Sequence, residues 1–210
     1  YTQLVEEQLL LLPDDQKIDA TTSTRLYHAM QQIVVNWDYF SGDKNNRSAA
    51  FDIIDQVVEE TNCMEVESSK LIIWTWYTRT TQKVLDYLND GRLVAVGAYS
   101  GANSNKSFEA FQDDSSIRVL VASPASAGAG LNPQAVCSEM LWLETPTTPI
   151  LVTQGNGRVD RQGQTKTPRI VFATAKGTIQ EYLKNRLISN DDLVSKIENK
   201  KFLRLTLLGG

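Results

Sequence analysis

From Lys70 onward the chain alternates short, unbroken apolar runs with stretches in which apolar residues recur every three or four positions. The runs are Leu71–Trp76, Leu93–Val96, Ile117–Ala122, Met140–Leu143 and Ile170–Phe172. A run without polar alternation reads as a strand covered on both faces, as in a parallel sheet. Enough chain lies between consecutive runs for a crossover helix each time. Helices are predicted over Thr80–Leu88, Asn103–Phe111 and Thr147–Arg161, then from Thr178 with Ile179, Leu183 and Leu187 four apart, and last over Asp191–Lys200. Before Lys70 the pattern is helical and connecting. Thr22–Val35 carries Leu26, Ala29, Met30, Ile33 and Val34 at helical spacing, and Ala49–Glu60 repeats it with Phe51, Ile54, Val57 and Val58. The fold class expected is α/β: an open, mostly parallel sheet with helices on both faces, residues 67–210, preceded by a helical lead-in over residues 1–66. Ligands of such sheets sit at the carboxyl ends of the strands. Here those ends are Thr75–Arg79, Gly97–Gly101, Ser123–Asn132 and the approach to Gln154.

Composition narrows the classes. The 210 residues are 41% hydrophobic and 22% charged, ordinary for a globular protein, and long enough to bury a substantial core. No apolar run nears the ~20 residues that span a membrane, and the first residues lack the order of a secretion signal, so an intracellular protein with no membrane partner is expected. The net charge of −4 argues against a surface that coats nucleic acid throughout. Yet Arg158, Arg161, Lys166 and Arg169 gather within Gln154–Arg169 against the single acid Asp160. Two cysteines and one histidine are too few for a structural zinc site, which leaves two packed, reduced thiols and a structural His28 in a helical run.

That basic segment reads Gln154-Gly-Asn-Gly-Arg-Val-Asp-Arg-Gln-Gly-Gln164. On a helix, Gln154, Arg158 and Arg161 stand at i, i+4 and i+7 and share a face. Two guanidinium groups a turn apart suit the oxygens of one phosphate better than lysines would. Gly157 permits close approach beside Arg158, and Gly163 permits a sharp exit. Upstream, Ser123-Pro-Ala-Ser-Ala-Gly-Ala-Gly-Leu-Asn132 follows a strand; its small residues let backbone N–H groups reach a phosphate, and Asn132 offers both a donor and an acceptor. It is not a dinucleotide fingerprint, because Pro133 stands where the third Gly belongs.

The spacing Q-x-x-G-R-x-x-R-x-G-Q resembles motif VI of superfamily-two helicases and translocases, in the form of the Swi–Snf-like branch. Gly128, Gly130, Leu131 and Asn132 are similar to the end of motif V in that superfamily, while Pro124 and Ala127 depart from it. Lys70-Leu-Ile-Ile-Trp-Thr-Trp76 is similar to motif IV, a strand whose end, Thr75 and Trp76, faces the nucleic-acid path; Trp74 and Trp76 share a face. Tyr99-Ser-Gly101 followed by Lys106 and Phe111 resembles a further stretch of the branch, with Lys106 in place of arginine, and Ala175–Glu181 resembles its helix-opening sequence after motif VI.

The resemblance implies the second, C-terminal RecA-like domain of an ATP-driven DNA helicase or translocase. In that family Arg158 and Arg161 would be arginine fingers. Gln154, Gly157, Gly128, Gly130 and Asn132 would contact or position the nucleotide, and Thr75, Gly101, Asn132 and Lys166 the nucleic acid, DNA rather than RNA. No G-x-x-x-x-G-K-[ST] loop and no D-E-x-x box occurs. ATP and its Mg2+ would then be held mainly by a first RecA-like domain upstream of Tyr1, and the chain alone would be inactive. No metal ligand is expected here. The alternative is a non-catalytic nucleic-acid or protein-binding module that keeps the fold.

Overall fold

The computed structural model describes residues 2–7, 9–11, 17–43, 47–66, 69–99, 103–126, 132–146 and 148–188. The predicted helix Asp191–Lys200, the glycines Gly101, Gly128 and Gly130, and Ala127 and Leu131 lie outside them. The chain packs as two units. One comprises Tyr1–Phe51, Pro146–Pro149 and Thr174–Gly210, the other Asp52–Thr145 and Ile150–Ala173.

In the first unit, α1 (Thr2–Glu7) precedes a short antiparallel pair, β1 (Leu9–Leu11) and β2 (Lys17–Asp19), in which Leu10 faces Ile18. This pair has no counterpart in the helical reading of the first 66 residues. A three-residue strand is too short to carry the alternation by which strands are recognised. The amphipathic helix α2 (Ser23–Val35) begins as expected: Thr22 caps it, its hydroxyl accepting from the Arg25 amide at 3.3 Å. α3 (Trp37–Ser41) stops at Gly42, whose φ of 72° is left-handed. The helix opened by Thr178 is α8 (Ile179–Ile188). Its Ile179 and Leu183 are buried with Leu4, Val5, Leu26, Met30 and Phe40 in one apolar cluster, so α8 packs with α1 and α2.

In the second unit, α4 (Ala50–Glu60), whose first two residues fall in the other unit, is followed by β3 (Leu71–Trp74), α5 (Thr78–Asn89), β4 (Val94–Ala98), α6 (Asn103–Asp113), β5 (Ile117–Ala122), β6 (Glu139–Trp142), α7 (Pro149–Asn156) and β7 (Arg169–Phe172). The strands form one parallel sheet in the order β4-β5-β3-β6-β7. All five predicted strands are present within two residues of their expected limits. All four residues of central β3 are buried, so both faces of that strand are covered, which is why its sequence shows no alternation.

One row of side chains crosses the sheet. Trp74, Trp142 and Phe172 are in register on β3, β6 and β7, and parallel register places them on the same face. Trp74 stacks on Trp142 with centroids 5.4 Å apart, and Trp142 on Phe172 at 6.1 Å. Each such pair adds about 0.5–1.5 kcal/mol beyond the area buried. α7 lies against the row at Gly155. A Cβ there would stand 2.5 Å from Trp142 Cζ2 and 3.6 Å from Trp74 Cε2. The helix can approach the indoles only because position 155 has no side chain.

In an open helix, Gly→Ala is stabilising by up to about 1 kcal/mol. Gly155→Ala should do the reverse, because Trp142 is fully buried and cannot yield. A net loss of about 1–3 kcal/mol is expected from overpacking. A denaturant titration of the purified chain followed by tryptophan fluorescence checks it; a gain in stability would show that α7 does not rest on the ring.

Candidate functional site

The basic segment departs from a helix halfway along. α7 ends at Asn156, and the chain continues in tight turns, with the Arg158 and Val159 amides donating three residues back, to Gly155 and Asn156 carbonyls at 3.1 Å each. The expected helix Thr147–Arg161 is therefore corrected to Pro149–Asn156. Gln154, Arg158 and Arg161 do not share a regular helical face. Gly155 and Gly157 are the cause, two poor helix formers within three residues, one of them committed to the indole contact. At Gly157 a Cβ would crowd backbone carbonyls of the preceding turn, Thr153 O at 3.2 Å and Gln154 O at 3.7 Å. Gly163, with φ 97°, makes the exit turn, and Gln154 is exposed.

What replaces the helical face is a hydrogen-bonded cluster. Arg161 Nη1 donates to Asn132 Oδ1 at 2.6 Å, joining the segment after β5 to the one after α7. The Asn132 carbonyl accepts from Gln112 Nε2 at 2.9 Å, at the end of α6. Gln164 closes the arginine turn: its Nε2 donates to Cys137 O at 3.0 Å and Val159 O at 3.2 Å, and its Oε1 accepts from the Lys166 amide at 2.9 Å. Arg158 is partly buried. Burial first, and then the neighbouring Arg161, hold its pKa below the ordinary guanidinium value. It remains a cation at neutral pH, because arginine is effectively always protonated. Two like charges held together, one of them partly desolvated, favour an anion between them.

Beside this cluster, at the amino ends of the strands, Lys166 lines a cavity of about 290 Å³ with Gln112, Gln164, Lys70 and Cys137. Lys70 is buried there; its Nζ donates to the carbonyls of Phe111 and, at 2.9 Å, Asp114, at the end of α6. Cys137 and Cys63 are free and buried, and burial pushes the Cys137 thiol up to about 12.

At the carboxyl ends, Thr75 is fully buried, its hydroxyl 2.7 Å from that of Thr81 and its amide donating to Ala122 O. Trp74 is core. Trp76 and Tyr77 are the partly exposed aromatic residues of this turn. Beneath them lies a residue that sequence reading missed. Glu144 is buried, and its Oε2 accepts from the amides of Trp76 at 2.7 Å and Tyr77 at 3.1 Å, while its Oε1 accepts from Thr80 Oγ1 at 2.6 Å. It thus holds the turn that leads into α5, whose N-cap residue Tyr77 contributes no side-chain cap. Burial raises its pKa to about 7 against the opposing pull of these three donors. The available signal was an acid directly after a buried run, ahead of Thr145-Pro146.

The five-stranded parallel sheet with its crossover helices is a RecA-like α/β fold. The solved C-terminal part of the Fun30 ATPase domain has a similar fold, with a TM-score of 0.62 over 87% of this chain and 63% of that one, at 18% identity. In sequence, the chain is 26% identical over 179 residues to the uncharacterized ATP-dependent helicase YqhH of Bacillus subtilis, covering 76% of this chain and 32% of that protein. It is 27% identical over 164 residues to the DNA repair protein RAD5A of Arabidopsis thaliana, covering 74% and 16%. No family model matches. Fold and sequence likeness together are those of the C-terminal RecA-like domain of superfamily-two helicases and translocases, in the Swi–Snf-like branch. The chain spans a third or less of the length of these curated relatives. No helix among the described residues is long and apolar enough to cross a membrane.

The Glu144 carboxyl group makes stability depend on pH. Its folded pKa, about 7, lies above its ordinary value of 4.5, so the folded state binds more protons between them and loses stability as pH rises through that window. Glu144→Gln cannot titrate. Relative to the native chain, the variant should therefore gain about 2 kcal/mol between pH 5 and pH 7.5. Urea titrations at several pH values measure this difference. A constant gap across the range would place the Glu144 carboxyl at its ordinary pKa.

Proposed function

We propose that this chain is the second motor half of an ATP-dependent DNA helicase or translocase. It would supply arginine fingers to ATP bound on an upstream RecA-like domain, together with part of the nucleic-acid track. The observation that carries this proposal is the 2.6 Å bond between Arg161 and Asn132, which unites the two segments expected to face the nucleotide. Held by Asn132, Arg161 presents its remaining N–H donors without first having to be ordered, which is the preorganisation that charge stabilisation requires. Arg158, partly desolvated, interacts with a phosphate more strongly than a fully hydrated guanidinium would. As water attacks the γ-phosphoryl group, negative charge on its oxygens is met by both residues. One such finger is worth about 10³–10⁵ in rate. The donors here suit phosphate rather than its metal, and no cluster of His, Cys, Asp or Glu that could hold an ion occurs among the described residues. Mg2+, with most of the ATP, would be held by the upstream half.

DNA is favoured over RNA because one relative is a DNA repair protein. At the carboxyl ends of the strands, the partly exposed Trp76 and Tyr77, which follow the buried Thr75, offer stacking surfaces. Gly101, Gly128, Gly130, Lys166 and the backbone beside Gly157 complete the proposed contacts with phosphate, of nucleotide or of nucleic acid.

The purified chain alone should show no appreciable ATP hydrolysis. Turnover by it, abolished by Arg158→Ala, would sink the half-motor proposal. In the full-length protein, Arg161→Lys keeps the charge but loses the planar fork. Turnover should fall by about tenfold or more, with little change in ATP affinity or melting temperature, because the contact is made mainly in the transition state. Steady-state kinetics and a thermal melt on one sample decide it. Unchanged turnover would make Arg161 a surface residue held by Asn132 and nothing more.

A further inference from the structure

Glu144 is an expensive way to hold a turn, because its acceptor group is buried. An N-cap side chain at position 77 would accept from amides two or three residues further on and would leave those of Trp76 and Tyr77 unheld. Instead the carboxylate comes from the end of β6 and reaches groups 64 to 68 residues away in sequence. A local cap cannot join two distant segments; Glu144 does. β6 makes a second connection two residues earlier: Trp142 Nε1 donates to Asn156 Oδ1 at 2.9 Å, at the last residue of α7 and two positions before Arg158. The stacked indole and the tight Gly155 contact keep β6 and α7 from sliding on one another. The end of β6 is therefore bonded on one side to the Trp76–Tyr77 turn and on the other to the start of the arginine turn.

We propose that Glu144 is a positioning residue that transmits nucleic-acid occupancy at the Trp76–Tyr77 turn, through the end of β6, to the arginine turn, and so sets how strongly DNA stimulates ATP hydrolysis. This rests on the half-motor proposal. A nucleic acid seated on Trp76 and Tyr77 pulls on amides whose hydrogen-bond acceptor is Glu144. Displacement of that acceptor shifts the end of β6, and α7, held to it by the Gly155 contact and the Trp142–Asn156 bond, moves with it.

The test uses the full-length protein, with ATP turnover measured against increasing linear duplex DNA. Glu144→Gln is isosteric but keeps one acceptor oxygen in place of two, so it cannot hold all three donors as the carboxyl group does, and Thr80→Val removes one of the three while keeping the shape. In each variant the ratio of DNA-saturated to DNA-free turnover should fall by about tenfold, the scale of one hydrogen bond to a charged group, with the KM for ATP within about twofold of native. Because both changes cut the same link, the double variant should lose no more than Glu144→Gln alone. If melting temperature falls and both turnovers drop together with the ratio intact, Glu144 is only a structural brace and the proposal fails. Should Glu144→Gln fold poorly, Thr80→Val decides between the same two outcomes. Arg158→Ala is run alongside. Native turnover in that variant would mean the half-motor proposal has failed, a result separable from loss of the link because it leaves the DNA-stimulation ratio untouched.

Discussion

The contact between Gly155 and the Trp142 indole governs the rest of the second unit. Trp142 is the middle ring of a row joining three adjacent strands, so its position is shared by β3, β6 and β7 and cannot be adjusted for one neighbour alone. α7 must fit what the row leaves, and only a backbone without a side chain fits. Two glycines in the last turn then end the helix early, so Arg158 and Arg161 enter a turn instead of a helical face. A packing demand of the core thus sets the geometry of the charged segment.

Much of the fold was legible because parallel strands buried on both sides leave an uninterrupted apolar signature, as in Leu71–Trp74 and Ile117–Ala122. The helix α2 and the opening of α8 near Thr178 were equally readable, since their determinants lie within four residues. What escaped depends on partners far along the chain. Periodicity places an arginine on a helix but cannot detect that Gly155 is taken by an indole thirteen positions earlier. The burial of Thr75 follows from its pairing with Thr81 and Ala122. After the turn at Gly163, Lys166 lines the cavity beside Gln164, a neighbour that spacing alone does not give. Glu144 read as a lone acid because its three donors are more than sixty residues upstream. Arg161 and Asn132 were each identified alone; their meeting belongs to tertiary structure.

The two ends of the sheet are built differently. At the amino ends a polar cavity lies behind the arginine turn, walled in part by Gln164, with Lys70 held by carbonyls at the end of α6. At the carboxyl ends the buried Glu144 carboxyl group holds the amides of the turn ahead of α5. Both arrangements hold turns through side chains that reach from other elements, so neither turn keeps its shape by local propensity alone.

The two cysteines have a practical consequence. Thiol-reactive probes attack the thiolate and need access to it. Cys137 is buried with its thiol donating to the carbonyls of Lys70 and Glu139, and Cys63 is buried beside the Thr61 hydroxyl, its pKa also raised. Both are therefore silent toward maleimides in the folded chain. A single cysteine introduced on an exposed position would therefore take the label cleanly, without first stripping the core of its native thiols.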